Sequence, residues 1–255
     1  MKVCLSSRQA QTYLEKADEI FVLYKDKNSL EDLILKYPDK TFILQHSAAI
    51  DSDPIDWDRV KKWNILSKGK FHLCVSEPIE IKMAAEKGIK SFLGWLINDF
   101  ETLNTVIKMG ASYVYIGGSL FFDLDRVLLT GAKVRATPNI AFRDGLFRED
   151  GVIGTWIRPE DLEVYENYIE TIEFSQCTLD QEKALYRIYM EDKEWPGDLG
   201  LLVKDLNHLG VNRMIHPELG LKRLNCRQIC QSGGTCKFCY RILRLADPDL
   251  FVANE

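Results

Sequence analysis

The feature that most constrains this chain is a regular alternation of two kinds of segment. Short apolar runs of strand character occur at Lys2–Ser6, Glu19–Tyr24, Thr41–Gln45, Phe71–Ser76, Lys90–Leu96, Ser112–Gly117, Lys133–Thr137 and Glu170–Phe174. Helical spacing follows them at Arg8–Lys16, Ser29–Tyr37, Ile55–Ile65, Ile79–Lys87, Asp99–Met109, Leu120–Leu129 and from Thr178 to about Glu191. Strands flanked by helices on every side are buried on both faces, which is why they read as near-continuous Val, Ile, Leu and Phe. Punctuation agrees with the periodicity. Gly88, Gly110 and Gly131 stop three helices, Ser29 stands where an N-cap is expected, and Thr178 with Gln181 forms a capping box. Eight such units predict a closed parallel (β/α)8 barrel. An open doubly wound sheet is the rival, but its glycine-rich phosphate turn is missing after the first strand, where Ser6-Ser7-Arg8-Gln9 stands.

The 255 residues suit one barrel with an addition. We assign residues 1–194 to the barrel and 195–255 to a C-terminal appendage packed on it. The loop from Pro138 to Tyr168 is long for a compact domain, and long loops are commonly lids or binding loops.

The appendage carries the strongest chemical signal. Cys226, Cys230, Cys236 and Cys239 read C-x3-C-x5-C-x2-C, with Ser232-Gly233-Gly234 between the pairs to let the chain fold back. Two close thiolate pairs joined by a flexible turn are suited to one metal centre. Zinc is the cofactor expected, with a four-iron iron–sulfur cluster as the alternative. Two disulfides would require an oxidising compartment. Met1–Ser7 does not resemble a signal peptide, and no apolar run approaches the ~18–20 residues that span a bilayer. A cytoplasmic protein without a membrane partner is therefore expected. Cys177 follows the eighth strand, as either a substitute ligand or a reactive thiol, and its role stays open.

Charge is unevenly distributed. The net charge is −5, yet Leu202–Leu245 holds Lys204, Arg213, Lys222, Arg223, Arg227, Lys237, Arg241 and Arg244 against Asp205 and Glu218 alone. A basic module on an acidic body marks a face for an anionic partner, nucleic acid or acidic protein, or else it pairs with the body's carboxylates.

A barrel's active site lies where its strands end. That rule selects His46 and Glu77 as an acid–base pair, against a structural histidine that is already satisfied. It also selects Glu173, an inward carboxylate whose partner on the neighbouring strand is Arg135. Gly117, Gly118 and Ser119 end a strand and open a helix, where backbone amides bind anions; Arg135 and Arg158 complete that anion site. His208 and His216 are possible replacements for a cysteine ligand.

Gly110-Ala111-Ser112-Tyr113-Val114-Tyr115-Ile116-Gly117-Gly118 resembles the GAD-x-VY-x-GG strand of the collagenase-like peptidase family, and Asn225–Cys230 is similar to its NRG-x-C-x-x-x-C element. The resemblance implies a barrel, a four-cysteine iron–sulfur site, and oxidative modification of RNA or quinones, or peptide cleavage. In this chain the glycine strand is the sixth rather than N-terminal, and the cysteines are more compact. Two functions are expected. One is a metal-containing barrel enzyme acting on a small anionic or nucleic-acid-derived substrate. The other is a non-catalytic barrel that contacts an anionic partner through its basic module. The sequence leaves the reaction, the substrate and the oligomeric state open.

Overall fold

The computed structural model describes residues 1–47, 51, 53–117, 120, 123–138, 157, 159–175 and 178–194. Within them lies one parallel sheet. Its strands are β1 (Lys2–Ser6), β2 (Glu19–Leu23), β3 (Thr41–Gln45), β4 (Phe71–Val75), β5 (Lys90–Leu93), β6 (Leu96–Ile97), β7 (Val114–Ile116), β8 (Val134–Ala136) and β9 (Ile169–Glu173). The spatial order is β5-β4-β3-β2-β1-β9-β8-β7-β6. The two end strands, β5 and β6, are consecutive in the chain and separated only by Gly94 and Trp95, so the sheet curls back on itself. A parallel bridge between Ser91 and Ala111, and a 2.7 Å hydrogen bond from Ser112 N to Ser91 O, join the β5 edge to the approach of β7. The nine strands are thus the eight staves of a barrel, with the fifth stave in two pieces.

The break in the fifth stave corrects the expectation of one strand over residues 90–96, and it has a local cause. A Cβ on Gly94 would lie 3.0 Å from Cys74 Sγ, so any side chain there would crowd β4. Gly94 N still donates to Val75 O at 2.8 Å, and the Trp95 indole N–H donates to Ser76 O at 2.9 Å. The stave leaves β4 there, and Leu96–Ile97 pairs with β7 instead.

The helices are α1 (Gln11–Leu14), α2 (Leu30–Lys36), α3 (Trp57–Leu66), α4 (Pro78–Glu86), α5 (Phe100–Lys108), α6 (Leu124–Leu129), α7 (Leu162–Tyr165) and α8 (Leu179–Tyr186), the last continuing as a π-helical turn over Arg187–Asp192. Asp56 and Asp99 cap α3 and α5 through their carboxylates, and the Thr178–Gln181 capping box opens α8 as expected. Gly88, Gly110 and Gly131 adopt positive φ at the ends of α4, α5 and α6. Ser29 does not cap α2. Its hydroxyl donates to Asp26 O, because a 3₁₀ turn over Tyr24–Ser29 runs directly into the helix. The first helix is shorter than the predicted 8–16. Among the described residues no helix is long and apolar enough to cross a membrane. The cysteine module and the rest of 195–255 lie outside the described residues, as do Gly118, Ser119, Arg158 and Cys177.

Candidate functional site: the C-terminal rim of the barrel

Parallel strands bring all their C-terminal ends to one rim. Ser6, Gln45, Ser76, Gly117 and Thr137 stand there, with Glu77 just beyond Ser76. Beneath the rim the barrel is filled partly by charge. Glu19 on β2, Arg135 on β8 and Glu173 on β9 are wholly buried. The register explains the meeting: Cys4 sits opposite both Glu19 and Glu173, and Tyr115 sits opposite Arg135.

Arg135 takes the role of partner to Glu173. Its Nη2 donates to Glu173 Oε2 at 3.1 Å and its Nη1 to Glu19 Oε2 at 2.5 Å. The rings of Phe92 and Tyr113 lie 5.2 Å from the guanidinium carbon. Arg135 was also expected to bind an anion. The structure gives both its terminal nitrogens to carboxylates inside the barrel and leaves none of the side chain at the surface. Lys2 reaches Glu19 from the opposite end at 3.9 Å, so two cations face two internal carboxylates, as the cost of burying charge requires.

Glu173 also accepts from Tyr115 Oη and, at 2.8 Å, from Ser175 Oγ. Three donors on one carboxylate stabilise its anion. A second carboxyl group lies at the same end of the barrel and went unnoticed in the sequence. Glu182 on α8 is completely buried, accepting from Ser6 N at 2.5 Å and Gln9 Nε2 at 2.7 Å. Burial pushes its pKa up; those two donors oppose the shift, and the charge of Glu173 adds to it. Glu182 occupies an ordinary helical position, and its spacing gives no hint that it points at β1.

The His46–Glu77 pair is replaced by another. Glu77 is the N-cap of α4, and its backbone N–H donates to Glu80 Oε2 at 3.0 Å. The carboxylate beside His46 is Glu80, with Oε1 3.4 Å from Nδ1. The reason is helical geometry: one turn into α4 the chain faces back over β3, whereas the cap residue faces outward. His46 is buried, stacked edge-on against Tyr24 at 4.8 Å, with Nε2 3.1 Å from the carbonyl oxygen of Asp53. His46, Asp51, Asp53, Glu80 and Trp57 line a cavity of about 400 Å³ at the rim beside β3.

Gly117 ends β7 as expected, but its N–H donates to Ile97 O at 3.0 Å and so belongs to the ladder. Arg8, just past β1, is a rim cation, bound through two nitrogens to Asp26 Oδ2 at 2.9 and 2.7 Å. His72 is neutral. Burial, followed by Lys90 and Arg135, pulls its pKa to about 3, and Nδ1 meets Ser112 Oγ at 3.2 Å. Among the described residues no group of three His, Cys, Asp or Glu is placed to hold a metal ion.

No protein-family model matches the chain, and no curated protein matches its sequence. Solved structures match at low identity. A glycerol uptake operon antiterminator-related protein from Thermotoga maritima is 15% identical, covering 69% of this chain and 95% of its own, with a TM-score of 0.42. A 3-keto-L-gulonate-6-phosphate decarboxylase from Vibrio cholerae is 11% identical, covering 76% and 99%, with a TM-score of 0.46. The barrel assignment rests on the strand order and register.

Proposed function

We propose that the chain is a barrel enzyme that moves protons on a small anionic or nucleic-acid-derived substrate at the C-terminal rim. The observation that carries this reading is the contrast between Glu173 and Glu182. One carboxylate accepts from three donors, while its neighbour is pushed toward the protonated form by burial. Two carboxyl groups with diverging environments are how a site keeps an acid and a base at one pH. In this reading Glu182 is the acid, Glu173 the anionic partner, and Arg135 and Tyr115 hold Glu173 in place. Arg8 offers a rim cation for the substrate's charge, joined by the proposed anion ligands Gly118, Ser119 and Arg158. Cys226, Cys230, Cys236 and Cys239 hold zinc, or an iron–sulfur cluster, in the basic appendage. Their spacing supports this part.

The test is a thermal-shift screen of phosphate- and carboxylate-bearing metabolites, with each hit followed by NMR for turnover. A hit that is converted by the protein, and not converted by Glu182→Gln, supports the reading. The complete burial of both carboxyls favours a second, binding-only reading. A ligand that raises Tm and is never turned over selects it. No response to any anion at millimolar concentration defeats both.

A further inference from the structure

Three consecutive helices of the barrel begin in the same way. Each of α3, α4 and α5 has a carboxylate at its N-cap and another in its first turn: Asp56 and Asp58, Glu77 and Glu80, Asp99 and Glu101. Acids there complement the positive ends of the helices. The three helices follow β3, β4 and β6, which belong to neighbouring staves, so the six carboxylates share one arc of the C-terminal rim. The cation among these first turns, Arg59, is turned aside to Asn28 and the Trp63 ring. Helix charge accounts for the acids but not for the apolar side chains between them. Ile79 is 58% exposed, Trp95 39% and Met83 37%. Ile79 and Met83, four residues apart, share one face of α4. The Trp95 indole, bonded to Ser76 O at 2.9 Å, is held beside the start of that helix. Met83 leads on to Ile55 and Trp57 in the open groove beside β3. Exposed apolar surface fringed by charge marks an interaction site.

We propose that this acidic and apolar arc is the docking surface for the basic C-terminal segment of the same chain, residues 202–245. The argument is complementarity of charge and of apolar character. The segment carries eight lysines and arginines against Asp205 and Glu218 alone, and it sets apolar residues among them, as in Arg241-Ile242-Leu243-Arg244-Leu245. Arginine and lysine stems can lie on Ile79, Met83 and Trp95 while their heads reach the surrounding carboxylates. A polyanion is repelled by the same six acids. Exposed ion pairs are individually weak and screened by salt, which disfavours a basic protein arriving from solution. A tethered segment acts at an effective concentration in the millimolar range, so weak pairs suffice in cis. The docking does not depend on any catalytic role of Glu173 or Glu182. Its consequence is regulatory: basic residues seated on the rim are withheld from an anionic partner, which must displace them to bind.

The experiment is zero-length carbodiimide coupling of the full chain, read by peptide mass spectrometry on an equal mixture of nitrogen-14 and nitrogen-15 protein. Lys204, Lys222 and Lys237 should join to Asp56, Asp58, Glu77, Asp99 or Glu101, in products of a single isotope. Raising the salt to 1 M, where charges are screened beyond ~3 Å, should cut the yield about fivefold or more. Ile79→Lys with Glu101→Lys, both at exposed positions, should cut it similarly and make residues 202–245 several-fold more sensitive to trypsin. Asp39→Lys, an exposed site at the opposite end of the barrel, should change neither readout. The coupling map of the unaltered chain needs no variant to fold. Absence of these links, links to Asp39 or Glu166 at the opposite end instead, products of mixed isotope that place the segment on a second copy, or a double variant that couples like the parent would each overturn the proposal.

Discussion

The charged groups inside the barrel and those in the cavity beside β3 are chemically alike, yet they are arranged to opposite effect. Inside, Glu19 and Glu173 share Arg135, and Tyr115 and Ser175 supply further donors to Glu173. At the rim, His46 Nδ1 faces Glu80 Oε1 at 3.4 Å, an ion pair when the ring is protonated. Burial of the central group does not separate the two, because His46 is nearly as buried as Glu173; the exposure of the partners does. Inside the barrel one shared cation fixes two fully buried carboxylates; at the rim the single partner of His46 is a partly buried one.

The sharpest way to break the comparison is Arg135→Met. It leaves two buried carboxylates without their shared cation and should cost about 3–5 kcal/mol in urea unfolding. Adding Glu19→Gln and Glu173→Gln should recover most of the loss. If the triple variant is as unstable as the single one, the interior is not held by charge matching.

Gly94→Val tests the broken stave, where a side chain would meet Cys74 Sγ; a loss of about 1–3 kcal/mol is expected, partly relieved by Cys74→Ala.

His72 offers a pH test. Its folded pKa of about 3 lies below the ordinary histidine value near 6.5, so the unfolded chain binds one more proton between those limits. Stability should therefore fall as pH drops through that window, by about 2 kcal/mol at pH 5 from this group alone. His72→Asn should flatten that part of the profile in urea titrations at several pH values.

Glu80→Gln should have the smallest effect on stability, below about 1 kcal/mol, because the residue is partly exposed at the rim and makes no matched internal pair. Equal destabilisation by Arg135→Met and Glu80→Gln would erase the distinction between the two regions.

The architecture was legible in the chain because periodicity is local. Two strands, Lys2–Ser6 and Thr41–Gln45, match their predicted bounds, and the helix-ending glycines and the Thr178 box lie where expected. The pairing of Glu173 with Arg135 was also legible, since adjacent staves and an inward carboxylate leave few choices. The sequence points to Glu77 because adjacency to a strand end is its only guide, and that guide cannot see which way the first turn of a helix faces. Glu182 and Glu19 carried no signal at all: a glutamate on a helix or at the start of a strand reads as solvated.

By itself, then, the sequence determined the stave count and the order of elements. These depend on spacing along one chain. The tertiary structure alone decided which carboxylate meets which donor, where the fifth stave breaks, and that one histidine is left facing an acceptor. Those outcomes depend on distances of about 3 Å between residues remote in sequence, such as the 116 positions separating Glu19 from Arg135, and no local pattern encodes them.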